Sequence, residues 1–293
     1  MKKTILVAGA TGNLGGRIVK ALIAQGAEVR AIVRKNTDAK KIKDLEKQGI
    51  TVLAIDMSNI SEIATACEGV ACVVSALAGL KEVIIDAQKL LLEGAIEAGV
   101  PRFIPSDFAT DFTTIPMGEN RNFDLRKTFR EHLNKSNIKA TSIFNGAFAE
   151  ILSYNTPIFD TVNKTIAFYD DKQDWKVDFT TMDDTANFTA LVALDDNSPR
   201  DLNISSFSLS PVDFVAISEK SKGEKFELVD KGSLAGFSAF IKTMRASDPD
   251  GENNMYAKWQ QAQYLHSMFY AHNTKSDNNR YLNLTWETIE NYI

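Results

Sequence analysis

The stretch VAGATGNLGGRIVKAL, Val7 to Leu22, decides the fold. It places four glycines within ten residues and then runs into a helical pattern. Glycine weakens both strands and helices, so a cluster at their junction needs a reason. Ile5, Leu6, Val7 and Ala8 before it form a short apolar run that reads as a buried strand, and Ile18, Val19, Leu22 and Ile23 after it recur at helical spacing. The segment is a strand, a tight glycine turn and a helix. Such a turn leaves unpaired backbone N–H groups at a helix start, where the helix dipole favours an anion, and phosphate is the usual guest.

The same alternation continues to about residue 145. Strands are expected at Thr4–Ala8, Ala27–Val33, Thr51–Ile55, Ala71–Ser75, Arg102–Pro105 and Ala140–Phe144. Helices are expected between them, at Asn13–Gln25, Asp38–Gln48, Ile60–Cys67, Lys81–Ala98 and Phe123–Lys135. The fourth helix carries the stripe Ile84, Gln88, Leu91, Ala95, Ala98 and stops at Gly99, with Pro101 just beyond. Alternation of this kind implies an α/β fold of Rossmann type, a doubly wound parallel sheet covered on both faces. Right-handed crossovers put the strand C-termini, and therefore the ligand crevice, on one edge.

Past residue 150 the regularity fades. Short β-like pieces at Thr165–Tyr169, Asn203–Ser206 and Lys225–Leu228 mix with helical patterns at Ser233–Arg245 and Met255–Tyr270, separated by the turn cluster Asp248–Asn254. The expected division is a nucleotide-binding domain at 1–150 and a smaller α+β substrate-binding lobe at 151–293, with some later segments returning to the first sheet.

Composition narrows the classes. The 293 residues are 44% apolar and 24% charged, enough for a sizeable core and without disordered bias. A net charge of -5 argues against a nucleic-acid surface, which needs a basic stripe. No apolar run approaches the roughly 18 residues of a membrane span. The first eight residues mimic a signal peptide until the glycines and Asn13 cut the apolar region short, so the sequons at Asn163 and Asn187 carry no weight. Cys67 and Cys72 have neither metal nor disulfide spacing, and His132, His266 and His272 make no i,i+4 pair. No metal site is expected; a cytoplasmic protein, monomeric or homodimeric, is.

Gly9, Gly12 and Gly15 are spaced G-x-x-G-x-x-G. The first permits the tight turn, the second a close approach to pyrophosphate, the third close helix–strand packing. About 20 positions past these glycines, an acidic residue would bind the NAD ribose hydroxyl. Here the second strand ends at Val33 and is followed by Arg34 and Lys35, while Asp38, the nearest acid, suits a helix cap. Arg34 can pair bidentately with a 2′-phosphate and Lys35 adds a point charge, so NADP(H) is preferred over NAD(H).

These residues, with VVSALAG (Val73–Gly79), AIEAGVPRFIPSDFATD (Ala95–Asp111) and FNGAFAEIL (Phe144–Leu152), resemble the isoflavone-reductase-like and NmrA-like family of atypical short-chain dehydrogenase/reductases. The resemblance implies NADPH at the strand ends and a small-molecule substrate between two lobes. Cofactor contacts are then expected from Gly9, Thr11, Gly12, Asn13, Leu14, Gly15, Arg34, Lys35, Ser75, Ala76, Leu77, Phe108 and Asn145.

Ordinary short-chain dehydrogenases use Tyr-x-x-x-Lys, and none of the seven tyrosines here has Lys four positions later. The reductases of the resembling family instead carry a lysine on the helix before the sixth strand, and alignment through Thr141 puts Arg126 there. Arginine does not release its proton, so Arg126 clamps substrate, stabilises negative charge or orients water, or else is a solvated helix residue together with Arg130. Asp107, after the fifth strand, either caps the next turn or meets cofactor or substrate. The Met182-Asp183-Asp184 stretch suits a helix cap. Phe148, Tyr154 and Tyr169 are candidate pocket residues, though tyrosines of this kind also serve as packing, and Phe108, Phe112 and Phe144 cluster with Phe148 at the strand ends.

Two functions follow. One is an NADPH-dependent reductase that passes hydride to a small aromatic, phenolic or quinone-like acceptor, with a lean towards easily reduced acceptors because the lysine is missing. The other is a non-catalytic NADP(H)-binding redox sensor, as some NmrA-like regulators are. A nucleotide-sugar epimerase needs the absent Tyr–Lys pair.

Overall fold

The computed structural model describes residues 2–223, 225–273 and 275–292. Its first lobe is a six-stranded parallel sheet in the order β3-β2-β1-β4-β5-β6. The strands are β1 (Thr4–Ala8), β2 (Glu28–Arg34), β3 (Thr51–Ile55), β4 (Cys72–Ser75), β5 (Arg102–Ile104) and β6 (Lys139–Ala140). The helices between them are α1 (Asn13–Ala24), α2 (Ala39–Glu46), α3 (Ile60–Cys67), α4 (Gln88–Glu97) and α5 (Arg121–Leu133). Successive strand residues point to opposite faces, and both faces are covered. Ile5, Val7, Ala31, Val33 and Val74 pack with Ile18, Val19 and Leu22 of α1. Leu6, Ala8, Ile32, Val73 and Phe103 pack with Ile63 of α3, Leu91 and Leu92 of α4, and Phe129 and Leu133 of α5. The sheet and all five crossover helices match the expected fold.

Two elements beyond residue 150 complete this lobe. Helix α6 (Met182–Leu194) brings Ala186, Phe188, Ala190 and Val192 into the core beside α1. The strand that β6 begins continues, after Thr141, as β7 (Ser142–Phe144), which pairs in parallel with β11 (Asp201–Asn203).

The second lobe gathers β8 (Ala147–Phe148), β9 (Thr165–Phe168), β10 (Val177–Thr180), β12 (Phe207–Leu209) and β13 (Glu227–Asp230), with helices α7 (Pro211–Lys222), α8 (Leu234–Ala246) and α9 (Lys258–Tyr270). It has its own core around Phe159, Phe179, Phe214 and Phe269.

Three local expectations need correction. The helix expected from Lys81 opens with a wide π-type turn, Glu82–Ala87, before regular α4. Such turns are rare and favour functional sites; here Gln88 is fully buried and donates to Ile84 O at 2.9 Å. The β-like piece at Asn203–Ser206 is in fact a crossing point, with β11 ending at Asn203 and β12 beginning at Phe207. The cap of α6 is Thr181, whose hydroxyl accepts from Asp184 N at 2.9 Å, rather than an acid. Asp183 pairs with Arg17, and Asp184 accepts from Ser206 Oγ and Glu287 N.

Candidate active site

The glycine loop forms as its spacing requires. Gly9 adopts φ +88°, and a side chain there would also press against Ala76 O at 2.5 Å. Ala76 N donates to Ala8 O at 2.8 Å, so the Ala76–Leu77 backbone lies directly against the loop. A Cβ on Gly15 would drive into the Gly9 carbonyl, its carbon only 2.7 Å away. Gly12 N–H donates to Gly9 O at 2.9 Å, and α1 starts at Gly12 with no side-chain cap, leaving its N-terminal N–H groups for a ligand. Thr11 and Asn13 are exposed around this rim, while Leu14 packs inward on the core. A cleft of about 430 Å³ opens beside the loop between α1 and α2, lined by Arg17, Lys20 and Lys41 among others. No residue of the β4, β5 or β7 loops lines it, so it lies beside the glycine loop and away from those strand ends.

At the tip of β2 the two cations differ. Arg34 is exposed, and its guanidinium has no hydrogen-bond or ion-pair partner among the described residues. Lys35 is already paired with Glu62 at 2.9 Å. Asp38 caps α2 through Lys40 N and Lys41 N.

The floor of the crevice is built from side chains with unmet polar atoms. Ser75, at the end of β4, is fully buried with its hydroxyl unpartnered. Asn145, just past β7, is fully buried with neither amide atom partnered, although its backbone is fixed by Ala109 O at 2.9 Å and Thr180 Oγ1 at 2.6 Å. Each such orphan costs about 1–3 kcal/mol, and native proteins keep few of them. They stand on the same edge of the first sheet, at the end of β4 and just past β7, with β5 between them, and unmet polar atoms there fit a polar ligand such as a dinucleotide. Ser106 locks the β4 and β5 loops together, donating from Oγ to Leu77 O at 2.6 Å and from N to Gln88 Oε1 at 2.9 Å. Phe108 sits in the first-lobe core beneath.

Arg126 is half-buried on α5. It donates from Nε to Ser106 O at 3.0 Å and from Nη1 to Asn122 O at 2.9 Å, so it is pinned beside the β5 loop rather than freely solvated. Arg130, one turn on, is also not a solvated residue: both of its terminal nitrogens meet Asp201 at 2.7 Å. Asp107 caps no turn. That task falls to Asp111, which accepts from Thr113 N at 2.9 Å. Asp107 is fully buried, accepts from Ser142 Oγ at 2.6 Å and leaves Oδ1 unpartnered. Burial raises its carboxyl above the ordinary carboxylate range, against the pull of the Ser142 hydroxyl and of Arg126, Arg200 and Arg130.

The aromatic candidates separate. Phe148 is half-buried and packs against the first core, Tyr154 is 70% exposed, and Tyr169 lies in the second-lobe core, stacked on Phe237 at 4.6 Å. Burial pushes the Tyr169 hydroxyl up to about 12. Phe112 and Phe144 meet edge to face at 5.3 Å inside a core cluster rather than lining an open pocket.

Sequence reasoning missed the junction of α5 with α9. Asn120 accepts from Gln260 Nε2 at 2.9 Å and donates to Ser267 Oγ at 3.1 Å, and Gln263 accepts from Arg121 N at 3.0 Å. The Arg121 guanidinium is buried against the Trp259 ring and donates to Gly251, Glu252, Asn254 and Met255 carbonyls. Asn122 donates to Tyr264 Oη at 2.9 Å. These partners lie well over a hundred positions apart, and no local pattern announces them.

Comparison with known proteins agrees with this geometry. The NmrA-like family model matches residues 1–292. Pinoresinol reductase 1 of Arabidopsis thaliana is 30% identical over 279 residues, covering 87% of this chain and 85% of that protein. The solved structure "AtPrR2 with NADP+ and (+)pinoresinol" superposes with a TM-score of 0.80 at 25% identity, covering 100% of this chain and 98% of the other. An isoflavone reductase crystal structure shares the fold with a TM-score of 0.78 at 20% identity, over 100% and 98% of the two chains. With its glycine cradle, its free Arg34 and a family match from end to end, the chain belongs to the NmrA-like family.

Proposed function

We propose that this protein is an NADP(H)-dependent oxidoreductase that passes hydride to a small aromatic or phenolic acceptor. The observation that carries the reading is the crevice at the strand ends: a loop closed to any side chain at Gly9 and Gly15, on the same sheet edge as the orphaned polar atoms of Ser75 and Asn145. Relatives named as pinoresinol reductases, one of them solved with NADP+ and (+)-pinoresinol, support the cofactor and the acceptor class.

The loop of Gly9, Thr11, Gly12, Asn13, Leu14 and Gly15 would hold the pyrophosphate at the start of α1. Arg34 would take the 2′-phosphate, with Lys35 secondary because Glu62 already occupies it. Ser75, Ala76, Leu77, Phe108 and Asn145 would line the nicotinamide end. When bound, the cofactor supplies the hydride, and the protein's part is orientation and electrostatics. Arg126, held by two carbonyls, would present fixed positive charge to an acceptor oxygen that gains electron density. Phe148 and Tyr154 remain the proposed rim of the acceptor pocket.

Within the acceptor class, quinone-like compounds suit a site whose family lysine is replaced by Arg126, because their proton can come from water after hydride arrives. The same replacement favours the second reading, a cofactor-binding sensor without turnover. The buried, unbridged thiols of Cys67 and Cys72 suit a reducing cytoplasm, and no helix among the described residues is long and apolar enough to cross a membrane. A monomer or homodimer acting on a small molecule is the form proposed.

The test is loss of NADPH absorbance against a panel of quinones, aryl enones and phenylpropanoids, with an NADH arm and an Arg34→Ala control. Acceptor-dependent oxidation that prefers NADPH, and loses that preference in Arg34→Ala, is the expected result. Tight NADPH binding with no turnover across the panel points to the sensor. No binding at all overturns both.

A further inference from the structure

Reduction of a carbonyl-conjugated acceptor needs a proton as well as a hydride, and Arg126 cannot release one. Arg126 does touch a residue that holds a phenol. Its Nη1 donates to the carbonyl of Asn122, one helical turn back on α5. The side-chain amide of Asn122 in turn donates to Tyr264 Oη at 2.9 Å and to Met255 O at 3.0 Å. Tyr264 stands on α9, 142 positions away in the chain. Its ring meets Phe123 edge to face, with centroids 5.3 Å apart, so the half-buried phenol has a fixed direction. Its oxygen is held by a donor, and its own hydrogen meets no acceptor among the described residues.

We propose that Tyr264 is the proton donor of the reduction, oriented by Asn122. The proposal rests on the NADP(H)-dependent reductase reading above. After hydride adds to the acceptor's β-carbon, the electron pair of the C=C–C=O system resides on the carbonyl oxygen. That oxygen forms an O–H bond with the Tyr264 proton as the O–H bond at Tyr264 breaks. The Asn122 amide donates to the resulting phenolate, which takes a proton back from solvent. The chain thus recovers by tertiary contact a tyrosine donor that its local sequence lacks.

Tyr264→Phe keeps the ring and its packing on Phe123 while removing the proton. With an aryl enone as acceptor, kcat is expected to fall by about 10²-fold or more. With para-benzoquinone, whose product can be protonated by water, it should stay within about twofold. A second readout needs no turnover: calorimetric affinity for para-nitrophenolate, a stable oxyanion, in the presence of NADP+. Tyr264→Phe is expected to weaken that affinity about tenfold, the scale of a hydrogen bond to a charged group, with NADP+ affinity unchanged. Equal kcat on the enone, or equal losses on enone and quinone together, overturns the proposal, as does unchanged nitrophenolate binding. Should the Phe variant not fold, Asn122→Ser keeps the phenol and removes its amide donor, and it must show the same enone-selective loss. If the wild type oxidises NADPH with no acceptor, the reductase reading fails, and the nitrophenolate arm still decides the placement of Tyr264.

Discussion

Arg130 grips Asp201 with both terminal nitrogens at 2.7 Å, joining α5 to the strand β11 that extends the first sheet. The same Arg130 reaches Ser142 Oγ at 3.1 Å, and Arg200 reaches it from the other side at 2.6 Å. The Ser142 hydroxyl is thereby turned to donate to Asp107. Asp201→Asn keeps the shape and leaves Arg130 half-buried without its counter-charge. We expect a loss of about 1–3 kcal/mol, below the range for fully buried pairs because Asp201 is 37% exposed. A urea titration should show a lower midpoint at unchanged slope. Asp196→Asn, which breaks the exposed pair with Lys3, should stay within about 0.5 kcal/mol.

Asp107 sets a pH dependence of definite sign. Burial raises its carboxyl above the ordinary value of 3.8. A raised native value means stabilisation that is complete below the unfolded value and is lost as pH climbs through the native one. Asp107→Asn removes that titration. Urea stabilities measured from about pH 4 to about pH 8, the range above the ordinary carboxylate value, should therefore show the variant gaining on the wild type as pH rises. A constant difference across the range would refute a raised carboxyl.

The glycine loop makes a paired prediction from neighbouring positions. Gly15→Ala puts a methyl group into the Gly9 carbonyl, with no flexible side chain to give way. NADPH affinity, read by quenching of protein fluorescence, should fall at least tenfold, or the variant should fail to fold. Gly16→Ala meets Ala10 O at 3.4 Å, an ordinary contact. It should keep NADPH binding and gain up to about 1 kcal/mol of helix stability.

Arg34 and Lys35 adjoin in sequence and differ in engagement. Arg34→Ala should weaken NADPH by about ten- to a hundredfold, the scale of a charge-assisted fork, and leave NADH nearly unchanged. Lys35→Ala should weaken NADPH only a few-fold, because Glu62 already holds that ammonium. Equal losses at the two positions, measured by titration of both cofactors, would mean that the Lys35–Glu62 pair opens on binding.

The first lobe was legible because each of its elements announces itself locally. Apolar runs such as Ile5–Ala8 can only be buried strands, and the stop at Gly99 before Pro101 ends α4 by backbone chemistry alone. The glycine spacing was legible for the same reason, since Gly15 is demanded by the Gly9 carbonyl six positions back and Gly9 by its own positive φ, although Ala76 also presses on Gly9 from far along the chain. The wide turn at Glu82–Ala87 was not, because it answers to Gln88 reaching across to Ser106. For Tyr169 the sequence left packing and pocket lining both open, because composition does not tell a core phenol from a lining one; its partner Phe237 lies far along the chain. Whether Arg130 was solvated or engaged stayed open in the sequence because Asp201 is 71 positions away.

By itself, then, the sequence determined the doubly wound sheet, the glycine turn at the edge of its first strand, and the preference for NADP(H). These follow from periodicity, steric limits and charge within short windows. Only the tertiary structure decided which polar groups meet where α9 packs on α5. Packing of α9 onto α5 brings Tyr264 to Asn122 and leaves Arg126 fixed between two carbonyls. That juxtaposition depends on burying Trp259 and Arg121 together, a long-range energy that no local pattern of residues records.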